Sequence, residues 1–299
     1  MFCIKKSLLS DNMNIYGHIK LFNACVQPIL LYCSEVWSLF TLIKGNVNVE
    51  LKYDSFIPNK VQMKYAKYML GVHKSATNIA VLAELGLYPL SIAALKSSVI
   101  YWIHLLNSKC NSLIFHAYRE NLKLNESLCN KLKQLFSIFG FSHIWENQGT
   151  FSKSKLLFSV TKQLENRYIE HWKTLLFNDN NKSGGNKLRT YIKLKTQFDL
   201  ENYLCADVNK KYISTFVKIR ISNSNLNIEK GRYLNTPAED RICKLCNSGV
   251  EDEFHFTIIY VQNYSFVMDN FSRISVMLCL HLLICPTLTN LNLYLVVMI

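Results

Sequence analysis

The stretch Phe151-Ser-Lys-Ser-Lys-Leu-Leu-Phe-Ser-Val-Thr-Lys-Gln-Leu-Glu-Asn-Arg-Tyr-Ile-Glu-His-Trp-Lys-Thr-Leu-Leu-Phe177 decides the fold class. Its apolar positions Leu157, Val160, Leu164, Tyr168, Trp172 and Leu175 recur every three or four residues, the period of an α-helix with one buried face. No Gly or Pro interrupts it, so it reads as one long amphipathic helix. The same period extends outward on both sides. Residues 90–107 are strongly apolar behind Pro89, with Ile92, Leu95, Val99, Trp102, Ile103 and Leu106 as a buried helix. Residues 58–70 form a helix that stops at Gly71, and Lys60, Lys64 and Lys67 share one of its faces. Thr77 is a candidate cap for a short helix ending near Gly86. Helices are also expected at 111–121, 125–139 and 208–222. From His18 to Phe40 the spacing is helical, with a kink or break at Pro28.

The composition agrees with that reading. The 299 residues hold 10 Gly and 5 Pro, about 5% against a usual figure of roughly 12%, too few for the turns of a large all-β protein. The expected class is mainly α. The clearest linker is Asn178-Asp-Asn-Asn-Lys-Ser-Gly-Gly-Asn186. It separates a helical region, 1–177, from a second region, 188–265, with the linker at 178–187. A hydrophobic tail follows at 266–299, uncharged from Ile274 onward. That tail is long enough to cross a bilayer, but Pro286 and its polar neighbours interrupt it, so it stands open as a membrane anchor, a hydrophobic helix pair or an out-of-frame end.

The net charge is +13, which points to an anionic partner: RNA or DNA, or an anionic membrane. Eleven Lys and Arg against four acids make residues 182–232 the most basic part. There Lys210, Lys211, Lys218, Arg220, Lys230 and Arg232, continued by Arg241, are interleaved with Tyr212, Phe216 and Tyr233. Cations neutralise phosphates and rings stack on unpaired bases, so the mixture suits single-stranded nucleic acid. A solvated helix face whose aromatics belong to the core fits the pattern equally. Ten cysteines, several in apolar runs, are too sparse for a disulfide framework. Together with a signal-free N-terminus they indicate an intracellular chain, nuclear or cytoplasmic.

Cys243-Lys-Leu-Cys246, followed by His255 and Tyr260, has the spacing of a zinc knuckle with its fourth ligand replaced. Cys243, Cys246 and His255 are the candidate ligands of one zinc ion. The alternative is a loop that carries Cys-x-x-Cys and binds no metal. No paired-Asp box, Gly-rich phosphate loop, Gly-x-Ser-x-Gly or His-Glu-x-x-His occurs, and no small-molecule substrate suggests itself.

Three blocks carry a resemblance. They are Lys20–Trp37; Val61-Gln-Met-Lys-Tyr-Ala-Lys-Tyr-Met-Leu-Gly-Val-His-Lys-Ser75 through Glu84-Leu-Gly-Leu-Tyr-Pro89; and Lys218-Ile-Arg-Ile-Ser222 with Asn225–Tyr233, Arg241–Cys246 and Glu251–Phe256. In order and spacing, over roughly residues 18–265, they resemble the C-terminal part of the endonuclease–reverse transcriptase polyprotein of LINE-type, non-LTR retrotransposons. The resemblance implies a helical thumb-like and connector bundle followed by a small Cys/His knuckle module that helps hold the element's transcript or its target DNA. It places Cys243, Cys246 and His255 on zinc-ligand positions and Tyr260 on the last one. The family's metal-binding Asp pair lies upstream of the thumb and has no counterpart here. The expectation is a truncated retrotransposon-derived protein with residual RNA or single-stranded DNA binding and no polymerase activity. The alternative is a non-enzymatic helical interaction protein attached to membrane through its C-terminal segment.

Overall fold

The computed structural model describes residues 13–43, 53, 55–109, 112–124, 127–148, 151–180, 187–206, 208–244 and 246–256. The 274–299 tail, Tyr260 and residues 181–186 of the linker lie outside these. The described chain is mainly helical; among the described residues the only β pairing consists of two isolated bridges, Leu85 with Leu200 and Ile242 with Val250. Contacts divide it into two compact units, residues 1–66 with 87–172 and residues 67–86 with 173–299. Segment 67–86, placed within 1–177 by sequence, belongs to the second unit.

In the first unit, α1 (Ile15–Leu21), a π-helical turn (Phe22–Val26) and α2 (Gln27–Leu30) precede α3 (Ser34–Leu42). The break expected at Pro28 is spread over two places. The π turn lies just before Pro28, where the proline's missing N–H removes a helical bond. Cys33, at φ +53°, then turns the chain into α3 at 81° to the preceding segment. The helix α4 (Ile57–Leu70), which belongs to this unit up to Ala66, follows, then α6 (Leu90–Leu106), α7 (Leu113–Lys123), α8 (Leu128–Ile138), α9 (Ser142–Glu146) and α10 (Lys153–Asn180), which belongs to it up to Trp172. Pro89 gives α6 no side-chain cap, so its first N–H groups need acceptors from elsewhere. They find them on α4: Asn59 Oδ1 accepts from Ser91 N at 2.9 Å and Gln62 Oε1 from Leu90 N at 3.1 Å.

Trp102 of α6 is fully buried at the centre of this unit. Its ring lies 4.8 Å from Phe136 and stacks on Trp145 at 5.7 Å and Phe151 at 5.6 Å. Its indole N–H donates to Tyr118 Oη at 3.2 Å, and Tyr118 in turn donates to Gln148. The amphipathic period that opened the sequence reading is present in α10, but its innermost row is Leu156, Val160, Leu164, Tyr168, Trp172 and Leu176. This strict i, i+4 ridge leaves Leu157 and Leu175 half-buried at its edge. Among the described residues no single helix is long and apolar enough to cross a membrane.

The second unit contains α5 (Asn78–Glu84), α11 (Arg189–Leu194), α12 (Lys210–Arg220) and α13 (Asn227–Tyr233), with 3₁₀ turns at Asn202–Cys205 and Ala238–Asp240. Thr77 stands at the cap position of α5 without making a capping bond. Gly71, at φ +65°, ends α4 as expected, with Val72 N bonded to Lys67 O. Gly86, at φ +60°, is required for a second reason. A Cβ there would sit 2.4 Å from Leu200 N, where segment 199–201 closes on α5 and Glu201 N donates to Glu84 O.

Candidate metal centre and cationic surface

Residues 241–256 fold locally around one short-range constellation. Cys243 N donates to Gly249 O at 2.8 Å and Asn247 N to Cys243 O at 2.9 Å, so residues 243–249 double back on themselves. Asn247 takes φ +53° at the tip, a conformation its short amide side chain tolerates. Asp252 Oδ1 accepts from His255 N at 2.7 Å and starts the helical turn 253–256 that presents the imidazole.

The result is that Cys243 Sγ, Cys246 Sγ and a ring nitrogen of His255 all lie within 4.8 Å of one another, with Cys246 Sγ 3.1 Å from His255 Nε2. A tetrahedral metal with sulfur and nitrogen ligands needs edges of about 3.5–3.8 Å. The three side chains can therefore hold a metal ion with small adjustments. Cys243 is buried and Cys246 half-buried. The Ser248 hydroxyl and backbone N–H, followed by His255 and Cys243, hold the Cys246 thiol down at about 6, which favours the thiolate that a metal binds. Tyr260, the expected occupant of the fourth position, lies outside the described residues.

The loop is fastened to its unit by an ionic cluster that local spacing does not reveal. Glu253, beside the metal-ligand turn, accepts from Arg189 Nη2 at 2.6 Å, Thr190 Oγ1 at 2.9 Å and Ser222 Oγ at 3.0 Å. Arg189 Nη1 also meets Glu229 at 3.1 Å. Burial pushes the Glu229 carboxyl up, against the pull of Arg232 and Arg189.

The seven cations expected to face nucleic acid separate into two groups. Lys211 and Lys230 are exposed, and Lys210 and Lys218 are half-buried. Lys210 Nζ lies 5.8 Å from the Tyr68 ring centroid. Tyr212 and Tyr233 are 54% and 73% exposed, whereas Phe216 is a core residue. Arg220 and Arg241 are buried and serve internal partners. Arg220 is 4% exposed; its Nε meets Glu84 Oε1 at 2.8 Å and its Nη2 meets Glu201 Oε1 at 2.9 Å. Arg241 is buried, donating from Nη1 to Ile228 O at 2.8 Å and from Nη2 to Thr236 O at 2.7 Å. Arg232 is half-buried, with Nε 3.5 Å from Glu229 Oε2.

The Arg220 cluster is the second one that sequence reasoning missed. Lys195 Nζ joins it at 2.6 Å from Glu201, and the Tyr203 hydroxyl donates to Glu84. Burial pushes Glu84 up more than Arg220 pulls it down. Burial alone would lower Arg220, but Glu84, Tyr203 and Glu201 together lift it above its ordinary value.

Comparisons with protein families, with curated proteins and with solved structures find no match to this chain.

Proposed function

We propose that this chain is a retrotransposon-derived thumb-and-connector protein that binds RNA or single-stranded DNA, largely without regard to sequence, and has no polymerase activity of its own. The observation that carries the reading is the surface of the 210–233 segment. Lys211 and Lys230 are exposed, Lys210 and Lys218 are partly so, and the two exposed rings Tyr212 and Tyr233 share that segment. Lysines supply sequence-independent attraction to phosphates, and exposed rings can stack on bases of any identity. The blocks quoted above that resemble LINE-type polymerases support the same origin. No paired-Asp box accompanies them to hold the two Mg²⁺ ions of primer extension.

A zinc ion held by Cys243, Cys246 and His255 would have a structural role, closing the 243–255 loop. Zinc added to the reduced protein should release protons and protect Cys243 and Cys246 from alkylation; unchanged alkylation contradicts zinc binding.

Filter binding of a labelled single-stranded RNA tests the function. Micromolar-type affinity that falls steeply with salt is expected, alongside no product in a primer-extension assay. Absence of salt-dependent retention contradicts nucleic-acid binding, and nucleotide incorporation contradicts the reading of the missing carboxylates.

A further inference from the structure

The turn that follows α4 holds two lysines in an arrangement the charge pattern alone does not announce. Lys67 Nζ donates to Lys74 O at 2.8 Å, and Lys187 Nζ donates to the next carbonyl, Ser75 O, also at 2.8 Å. An ammonium has three donors, so each retains two. Among the described residues neither has a carboxylate at ion-pairing distance, and the sequence from Ser55 to Ala83 contains no acid at all. Elsewhere in this unit the inward-facing cations Arg189, Lys195 and Arg220 all meet carboxylates.

The turn itself is fixed. Asn223 Oδ1 accepts from His73 N at 2.9 Å, the His73 ring lies 2.9 Å from Ser75 Oγ, and Ser214 of α12 donates to Gly71 O at 3.0 Å. Two like charges are therefore held on adjacent carbonyls of a pinned turn. Burial first, and then the charge of Lys187, push the Lys67 ammonium below its ordinary value. An oxyanion bridging the two would remove that repulsion and occupy the unused donors with charge-assisted bonds.

We propose that Lys67 and Lys187, seated on the 71–76 turn, form a phosphodiester subsite for the backbone of a single-stranded nucleic acid. This rests on the nucleic-acid reading above and extends it to residues outside the 210–241 stretch. The strand is favoured over an acidic protein because α12 pins the turn through Ser214 and carries Lys210, Lys211 and the exposed ring of Tyr212.

Acetylation footprinting of the full chain, resolved by peptide mass spectrometry, tests it. The probes are a short oligothymidylate, inorganic pyrophosphate and polyglutamate, with Lys155 of α10 as the exposed reference. The oligothymidylate is expected to slow acetylation of Lys67 and Lys187 about tenfold at ten times its Kd, the factor 1 + [L]/Kd. Protection of Lys210 and Lys211 without Lys67 and Lys187 overturns the subsite and leaves the wider reading standing. Protection by pyrophosphate but not by oligothymidylate assigns the lysines to free phosphate and overturns the strand. Equal protection by polyglutamate reassigns the turn to an acidic protein. No protection of any lysine overturns both readings.

A Lys67→Gln, Lys187→Gln variant with an unchanged circular dichroism spectrum should lower the salt slope of single-strand binding by about 0.7, one phosphate contact. An unchanged slope overturns the proposal.

Discussion

Around the buried Trp102 the first unit packs rings, with Phe136, Trp145 and Phe151 against the indole, Tyr118 accepting from its N–H and no charge among them. Around Glu84 the second unit buries ions, linking Arg220, Glu201, Lys195 and the Tyr203 hydroxyl. The two solutions differ in what they demand of the sequence. Ring packing is stabilised by area and dispersion, tolerates small shifts and is indifferent to pH. An ionic core must have every charge matched, because a single unpaired ion inside costs more than the pair contributes. A basic sequence therefore does not translate directly into a basic surface, since part of the charge in residues 182–232 is consumed inside.

The largest expected effect on this contrast is Trp102→Ala, which should cost the first unit about 3–5 kcal/mol in chemical denaturation, equally at acid and neutral pH. Next is Arg220→Met, expected to cost the second unit about 3 kcal/mol at neutral pH by leaving Glu84 buried without its partner. Its pH dependence has a definite sign. Burial raises the Glu84 pKa above its ordinary value, so between that ordinary value and the raised one the folded state binds more protons than the unfolded state. Stability drawn from this group is present at low pH and is lost as the pH rises through the raised pKa. Without Arg220 the carboxyl is raised further and the loss between pH 4.5 and 7.5 should be larger, which urea midpoints at those two values measure.

A smaller effect is expected at Glu253→Gln, which weakens the anchor between the Cys/His loop and Arg189. Stability should fall by about 1–3 kcal/mol, and zinc affinity, read by competition with a chromophoric chelator, by about tenfold. Smallest is Lys230→Ala. An exposed lysine of this kind should change stability by less than about 0.5 kcal/mol while weakening RNA binding by a similar factor for every sequence.

What the sequence disclosed follows the range of the interactions involved. The helical class, the stop at Gly71 and the apolar runs of α6 and α10 are local patterns and were legible. So was the convergence of Cys243, Cys246 and His255, because thirteen consecutive residues contain it. The ridge that α10 buries was read one position off at Leu157 and Leu175, since a helical period fixes a face but not its centre line. The fates of Arg220 and Glu253 were not legible. Glu84 lies 136 residues from Arg220, and Arg189 lies 64 from Glu253, so no spacing rule joins them. Arg241 was lost for a different reason: its guanidinium serves backbone carbonyls, which every sequence offers.

The proposed nucleic-acid binding turns on Lys210 and Lys211 of α12, and not on the buried arginines. It is tested most directly by the salt dependence of RNA binding in the wild-type chain and in Lys210→Ala, Lys211→Ala, measured by fluorescence anisotropy. In both proteins log K is expected to fall linearly with log salt, with a slope shallower by about 1.4 in the variant, two phosphate contacts of a single strand. An identical slope in the two proteins would contradict it.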